Sequence, residues 1–137
     1  NSGKANFIFN PISYLQPEND ELIMMTIRSH DQYNTTIYSD QDRYRGIKSG
    51  RRIVMMNPLD SKERLLRTGD IVDLISNFNG ELRKSEKWYI VEYDIPKGNI
   101  ATYFPEANEL IPLQSTARGS NTPTSKSVIV RVEKHQD

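Results

Sequence analysis

Apolar residues fall in short runs separated by turn residues, and the spacing predicts a series of strands with one helix. Leu22 to Ile27 is a continuous apolar run of strand length, the pattern of a strand buried on both faces. Ile53 to Met56 is a second such run. Asn57-Pro58 ends it and starts a helix: Asn57 suits the N-cap and Pro58 the first helical position. Asp60 and Glu63 put negative charge in the early turns, where the helix dipole favours it. Leu59, Leu65 and Leu66 supply an apolar face, and Gly69 is the expected stop. Asp70 to Ser76 reads as a strand. Asn79-Gly80 is the strongest hairpin signal in the chain, with a return strand starting near Glu81. Trp88 to Tyr93, Ile100 to Phe104 and the alternating Val128 to Val132 complete the series. Residues 1–20, with Pro11 and Pro17, read as an N-terminal arm in which Phe7-Ile8-Phe9 can add an edge strand. Residues 21–133 form the domain and 134–137 a tail.

Strands do not alternate regularly with helices, which argues against a doubly wound fold. Six or seven short strands with turn signals predict a mainly β chain closed into a barrel. Two polar stretches interrupt the strands, one after Ile27 and one of roughly twenty residues after Tyr103-Phe104, and loops of that length in a compact domain are usually functional or disordered. The second is bracketed by ordered-looking elements and rich in neutral hydrogen-bonding groups, which suits a surface wrapping a large polar ligand; the first is polar, aromatic and Gly-containing.

Composition narrows the picture. The 137 residues fit one domain with one core. A mean hydropathy of −0.67 puts much of the polar content in loops. No apolar run approaches the roughly 18 residues of a membrane-spanning helix. The chain opens on Asn1-Ser2-Gly3-Lys4, without Met or leader, as a piece cut from a longer protein would. There is no cysteine, hence no disulfide or thiolate ligand, which is compatible with a cytoplasmic setting. The 18 basic and 18 acidic residues cancel, so no global field draws the chain to nucleic acid or membrane. From Arg28 to Arg52, however, Arg28, Arg43, Arg45, Lys48, Arg51 and Arg52 outnumber Asp31, Asp40 and Asp42. That local excess reads either as a solvated face or as a phosphate-binding loop.

The stretch Arg28 to Thr36 leaves the end of a buried strand, and strand ends at a barrel rim are where ligand loops gather. Arg28 has the fork for a phosphate. Ser29, Asn34, Thr35 and Thr36 are neutral donors and acceptors, and His30 can hydrogen-bond or stack on a flat ring. The alternative is that these residues only satisfy a tight turn. A His30–Asp31 dyad is disfavoured, because adjacent side chains on extended backbone point apart and no nucleophile accompanies them. The only other histidine is His135, too little for a zinc site. Asn34-Thr35-Thr36 is formally a glycosylation sequon. Gly119-Ser120 has the dipeptide that some small barrels cleave in themselves to make a pyruvoyl group. Tyr33, Tyr38, Tyr44, Tyr103 and Phe104 lie in or beside the loops, where aromatics can stack single-stranded bases.

The order "TIRSHDQYNTT", "MNPLDSKERLLRTGDIVDLIS", "YFPEANELIP" and "SNTPTSKSVIVRVE" resembles the C-terminal molybdopterin-dinucleotide-binding domain of the dimethyl-sulfoxide reductase superfamily, in its formate-dehydrogenase-like alpha-subunit branch. The resemblance runs from about Gly3 to Glu133. It implies a six-stranded double-psi β-barrel with short helices that helps to enclose a bis-molybdopterin guanine dinucleotide carrying molybdenum or tungsten. It implies contacts to that cofactor from the Arg28-to-Thr36 loop, from the Tyr103-Phe104 corner and Asn108 beyond it, and from Ser125 and Lys126. Relatives often have Glu and an aromatic residue where this chain has Thr124-Ser125. The metal ligand and the other domains of the parent oxidoreductase would lie outside this segment, as partners of a domain that is not catalytic by itself. A non-enzymatic interaction module and a nucleic-acid-binding barrel are the competing readings.

Overall fold

The computed structural model describes residues 2–48 and 50–136. Asn1, Ser49 and Asp137 lie outside it, and with them the first residue of the expected arm and the last of the expected tail. Among the described residues, six strands close a barrel: β1 (Glu21–Ile27), β4 (Ile53–Met56), β5 (Ile71–Phe78), β6 (Glu81–Glu92), β7 (Asn99–Tyr103) and β8 (Val128–Lys134). A ribbon of β2 (Gln32–Tyr33) and β3 (Thr36–Ile37) stands in the first polar loop, helix α1 spans Pro58–Glu63, and a 3₁₀ turn spans Glu106–Leu110.

Around the barrel the order is β1-β7-β4-β6-β5-β8. The pairs β1/β7 and β4/β6 are parallel; the others are antiparallel. Exchanging β1, β4, β5 for β6, β7, β8 reproduces the same ring, so each half of the chain gives one strand to each parallel pair and the halves interlock. This is a double-psi β-barrel. The ring therefore has a pseudo-two-fold.

The interior is filled by one face of each strand, including Leu22, Met24, Val54, Met56, Val72, Leu74, Trp88, Ile90, Ile100 and Val130. A second cluster of Ile47, Ile53, Met55, Ala101 and Tyr103 lies outside β4 and β7, under the loop that covers them. Burial on both faces is therefore true of β4, whose four residues are all buried. It is not true of β1, which alternates and leaves Met25 exposed.

Several local expectations are corrected. Helix α1 stops at Glu63 rather than near Gly69, because Leu65 turns left-handed (φ 55°) and the Leu66 N–H returns to the Ser61 carbonyl at 2.8 Å. Only Leu66 is buried; Leu59 and Leu65 face solvent. The two expected strands around Glu81 and Trp88 are one strand, β6. A bulge at Glu86-Lys87 opposite Asp73 keeps Trp88 directed inward. Phe7-Ile8-Phe9 forms no strand. β8 runs on to Lys134, and the His135 N–H bonds the Ile71 carbonyl, so the sheet extends past the expected domain edge.

The register places both polar loops at one end. β1 and β7 finish side by side, Ile27 beside Tyr103, and the Phe104 N–H bonds the Ile27 carbonyl at 2.8 Å. β4 and β8 begin at the same end, because each runs antiparallel to a strand that finishes there. Both polar loops therefore open from one mouth of the barrel, while α1 closes the other. The 3₁₀ turn plugs the first mouth with Ala107 and Leu110, and the Leu110 carbonyl accepts from Ser76 Oγ at 2.8 Å.

Candidate functional site

The mouth is framed by Arg51, immediately before β4. Its side chain is buried, and its guanidinium donates to Glu106 Oε1 (2.5 Å), Ser29 Oγ (2.6 Å), Gln32 Oε1 (2.9 Å) and the Phe104 carbonyl (2.7 Å), and lies 4.9 Å from the Tyr103 ring centre. One side chain thus ties the loop after β1 to the segment after β7. Gln32 reinforces the link by donating to the Phe104 and Asn34 carbonyls at 2.8 and 3.0 Å.

A second buried knot holds the rest of the first loop. Asp42 has no exposed surface; it accepts from Tyr103 Oη at 2.8 Å and from Arg45 Nη1 at 2.5 Å. Burial pushes the Asp42 carboxyl up, but the bonds from Tyr103 and Arg45 outweigh it and hold it below its ordinary range. Burial, then the bond to Asp42, pushes the Tyr103 phenol up. Beside this knot, Arg52 pairs with Glu109 at 3.0 Å and lies 4.8 Å from the Trp88 ring centre.

These networks divide the cations of the first loop. Arg45, Arg51 and Arg52 each have a carboxylate partner and belong to the frame. Arg28 has none within ion-pair distance among the described residues, and neither does Lys126 from the second loop. Yet these two lie close. The Lys126 ammonium donates to the Thr26 carbonyl, the Thr26 N–H donates to the Ser125 carbonyl at 2.9 Å, and Arg28 follows Thr26 by two residues. Burial, then the charge of Arg28, holds the Lys126 amine below its ordinary range. The guanidinium carbon of Arg28 sits 5.9 Å from the Phe104 ring centre, and its Nε donates to the Asn34 carbonyl at 3.3 Å.

The other candidates divide in the same way. Asn34 (φ 53°) and Thr35 form the exposed tip of the β2–β3 ribbon, with Thr36 beside them. Asn108 is exposed on the 3₁₀ turn at the same mouth, linked to the Arg28 side through Glu106, Arg51 and Gln32. Ser125 is half-buried beside Thr26. Ser29 and Tyr103 are buried, with their hydroxyls committed to Arg51 and Asp42. They support the mouth from beneath. Arg43 contacts His30 Nε2 at 2.8 Å, which makes that nitrogen an acceptor and puts the ring proton on Nδ1. A dyad through Nε2 and Asp31, 3.5 Å away, is thereby disfavoured, and the ring instead meets Tyr44 edge-on at 4.0 Å. No group of three or more potential metal ligands occurs among the described residues.

Arg51, Gln32, Glu106 and Asp42 escaped the sequence reading as parts of the site. Arg51 was visible only as one cation in a basic stretch. Its carboxylate partner is 55 positions away, and no local pattern marks it.

Fold and mouth together define a β-barrel binding domain whose lip carries two adjacent cations and neutral amide and hydroxyl groups. The chain belongs to the Molydopterin dinucleotide binding domain family, which matches residues 22–129, and this implies a molybdopterin cofactor in the parent protein. An uncharacterized oxidoreductase of Mycobacterium tuberculosis (strain ATCC 25618 / H37Rv) is 48% identical over 137 residues, covering 96% of this chain and 18% of that protein. Protein YdeP of Escherichia coli (strain K12) is 38% identical over 138 residues with the same coverages. Among solved structures, acetylene hydratase from Pelobacter acetylenicus shares the fold, with a TM-score of 0.61 over 83% of this chain and 18% of that one, at 11% identity. The chain thus spans 18% of the length of the curated relatives it matches. No helix among the described residues is long and apolar enough to cross a membrane.

Proposed function

We propose that the mouth formed by the loops after β1 and β7 grips the dinucleotide portion of a bis-molybdopterin guanine dinucleotide, within a larger molybdenum or tungsten oxidoreductase of the formate-dehydrogenase-like branch. The observation that carries this reading is the juxtaposition of Arg28 and Lys126 without a carboxylate partner among the described residues. Two adjacent exposed cations repel each other, and an anion lying between or above them relieves that repulsion. A diphosphate supplies that anion and accepts the fork of Arg28 and the Nζ donors of Lys126.

The neutral groups suit the rest of such a ligand. Asn34, Thr35, Thr36, Asn108 and Ser125 offer the amide and hydroxyl partners that pterin and guanine edges require, and the half-buried Phe104 ring offers a flat apolar surface. His30 stands at the rim of this surface. The bound group supplies the redox chemistry of the parent, and this domain supplies position and charge. The metal ligand is assigned to the part of the parent outside this chain, and the isolated domain is inert. The proposed substrate is formate or a small oxidised compound, and the proposed compartment is the cytoplasm. Pairing commits Arg45, Arg51 and Arg52, three of the six cations from Arg28 to Arg52, to carboxylates, which disfavours a nucleic-acid track.

The test uses the full-length protein purified without oxygen. Molybdenum or tungsten should co-purify with a guanine nucleotide released by acid. Arg28→Gln with Lys126→Gln should reduce that content by about half or more, since each charge-assisted contact contributes roughly 1.5–3 kcal/mol. Full occupancy in the double variant would overturn the role of these residues, and a wild-type protein without pterin would overturn the reading itself. Formate-dependent dye reduction by the loaded protein tests the branch separately.

A further inference from the structure

The first polypeptide segment, residues 2–18, has no regular secondary structure and carries an unusual surface. Phe7, Ile8, Phe9, Ile12 and Tyr14 are between 74% and 98% exposed. From Ala5 to Pro17 there is no charged residue, in a chain that is 26% charged. Pro11 interrupts the stretch and Pro17 ends it, so it can neither coil into a helix nor add a full strand to the barrel. Near its end Leu15 lines a cavity of about 210 Å³ with Phe78, Pro112, Val128 and Ile129, and Pro17 is half-buried. The apolar surface ahead of Leu15 has no cover in the domain.

We propose that residues 6–16 form a docking strap that lies in an apolar, uncharged groove on the remainder of its own polypeptide, fixing this barrel against the other domains. Three observations favour that occupant. The chain spans 18% of relatives that match over 96% of it, and the uncovered 4% is too short to hold the whole strap. The strap is therefore part of proteins with several times more chain to pack against. Clustered aromatic and aliphatic side chains without charge are the composition of an interface core. Lack of Lys or Arg from residue 5 to residue 17 argues against an anionic lipid surface, which needs basic residues for attraction. The strap ends beside the start of β8, where Leu15 lines a cavity with Val128 and Ile129. The inference does not depend on which cofactor the mouth holds.

The test uses the full-length protein with p-benzoyl-phenylalanine in place of Phe9. Irradiation should cross-link the strap within one polypeptide to apolar residues outside these 137. Cross-links confined to residues 21–134, cross-links between two polypeptides, or no cross-link at all would each overturn the proposal. In a second arm, Phe9→Asp with Ile12→Asp should raise the rate of proteinase K cleavage within residues 4–18 by roughly tenfold, because local opening sets that rate. Phe9→Leu should leave it unchanged. Equal cleavage rates in wild type and the Asp variant would also overturn the proposal. Metal and nucleotide content, measured on the same samples, reports separately on the mouth.

Discussion

Replacing Arg51 by Met removes the fork that joins the two loops while keeping a side chain of similar length. The change strands Glu106, whose side chain is one-fifth exposed, and takes a donor from Ser29 Oγ, Gln32 Oε1 and the Phe104 carbonyl. Removing one partner of a buried ion pair costs about 3–5 kcal/mol. Glu106 can turn partly to water, and Phe104 keeps its bond from Gln32, so the lower end applies, about 3 kcal/mol. For a domain of this size that lowers the melting temperature by about 10 °C. Urea unfolding followed by the fluorescence of Trp88, the only tryptophan and fully buried, measures it directly.

Two further variants separate the charge from the geometry. Arg51→Met with Glu106→Gln removes the stranded carboxylate and should recover about 1–2 kcal/mol relative to additivity. Arg51→Lys keeps the charge but reaches fewer of the four partner groups, so it should fall between wild type and Met. Amide exchange in residues 29–34 should accelerate in Arg51→Met beyond what the global loss explains. If Arg51→Met stays within about 0.5 kcal/mol of wild type, or the double variant recovers nothing, the frame is not held by this residue and the argument fails.

Other measurements address other parts of the chain. Asp42 and Asp73 are both held below the ordinary carboxylate range: burial raises each, and hydrogen bonds, from Tyr103 and Arg45 to the one and from Lys84, Lys87 and His135 to the other, outweigh it. Their stabilisation is complete above about pH 4, the unfolded value, and is lost as pH falls through their depressed folded values; a urea midpoint that stays flat under acid would contradict this. The raised Tyr103 phenol gives the opposite window: its contribution is complete below about pH 10 and declines as pH rises further, so Tyr103→Phe should lack that part of the alkaline loss. Gly80 sits at φ +86° in the β5–β6 hairpin, and Gly80→Ala should cost about 1–2 kcal/mol in thermal unfolding.

Legibility in the sequence followed the range of the interaction. The β4 run, the Asn79-Gly80 turn and the Asn57-Pro58 helix start depend on neighbours within a few positions, and all three were readable. Asn57 Oδ1 does accept from the Leu59 N–H at 2.8 Å. The end of α1 was not readable, because Asp60 turns inward to the Gly98 N–H, 38 residues away, and the chain leaves the helix early. The β6 bulge was not readable either: the charged run around Lys84 to Lys87 looks like a break until Asp73 bonds the Lys87 N–H across the sheet. At the mouth, the exposed candidates on both loops were proposed from composition and the family resemblance. Arg51 and Asp42, which hold those loops in place, were not, because their partners lie up to 61 positions away.

The two loops are far apart in sequence, yet they meet because β1 and β7 are parallel neighbours. In a double-psi barrel each half donates one strand to each such pair, so the loop leaving β1 must emerge beside the loop leaving β7. Topology brings the loops together, and charge pairing then sorts their residues. Cations matched to carboxylates, Arg45, Arg51 and Arg52, became frame. Of the cations without a carboxylate partner among the described residues, Arg28 and Lys126 stand together at the lip, while Arg43 turns to His30. A stable fold that retains two neighbouring cations without a counter-charge carries an electrostatic cost that an extra Asp or Glu would relieve. A bound anion relieves the same cost only when present, so on the proposed reading this pair converts ligand binding into stability. On that argument, loading the full-length protein should slow amide exchange most at Thr26–Asn34 and Thr124–Ser127, the two places where the unmatched charges are anchored.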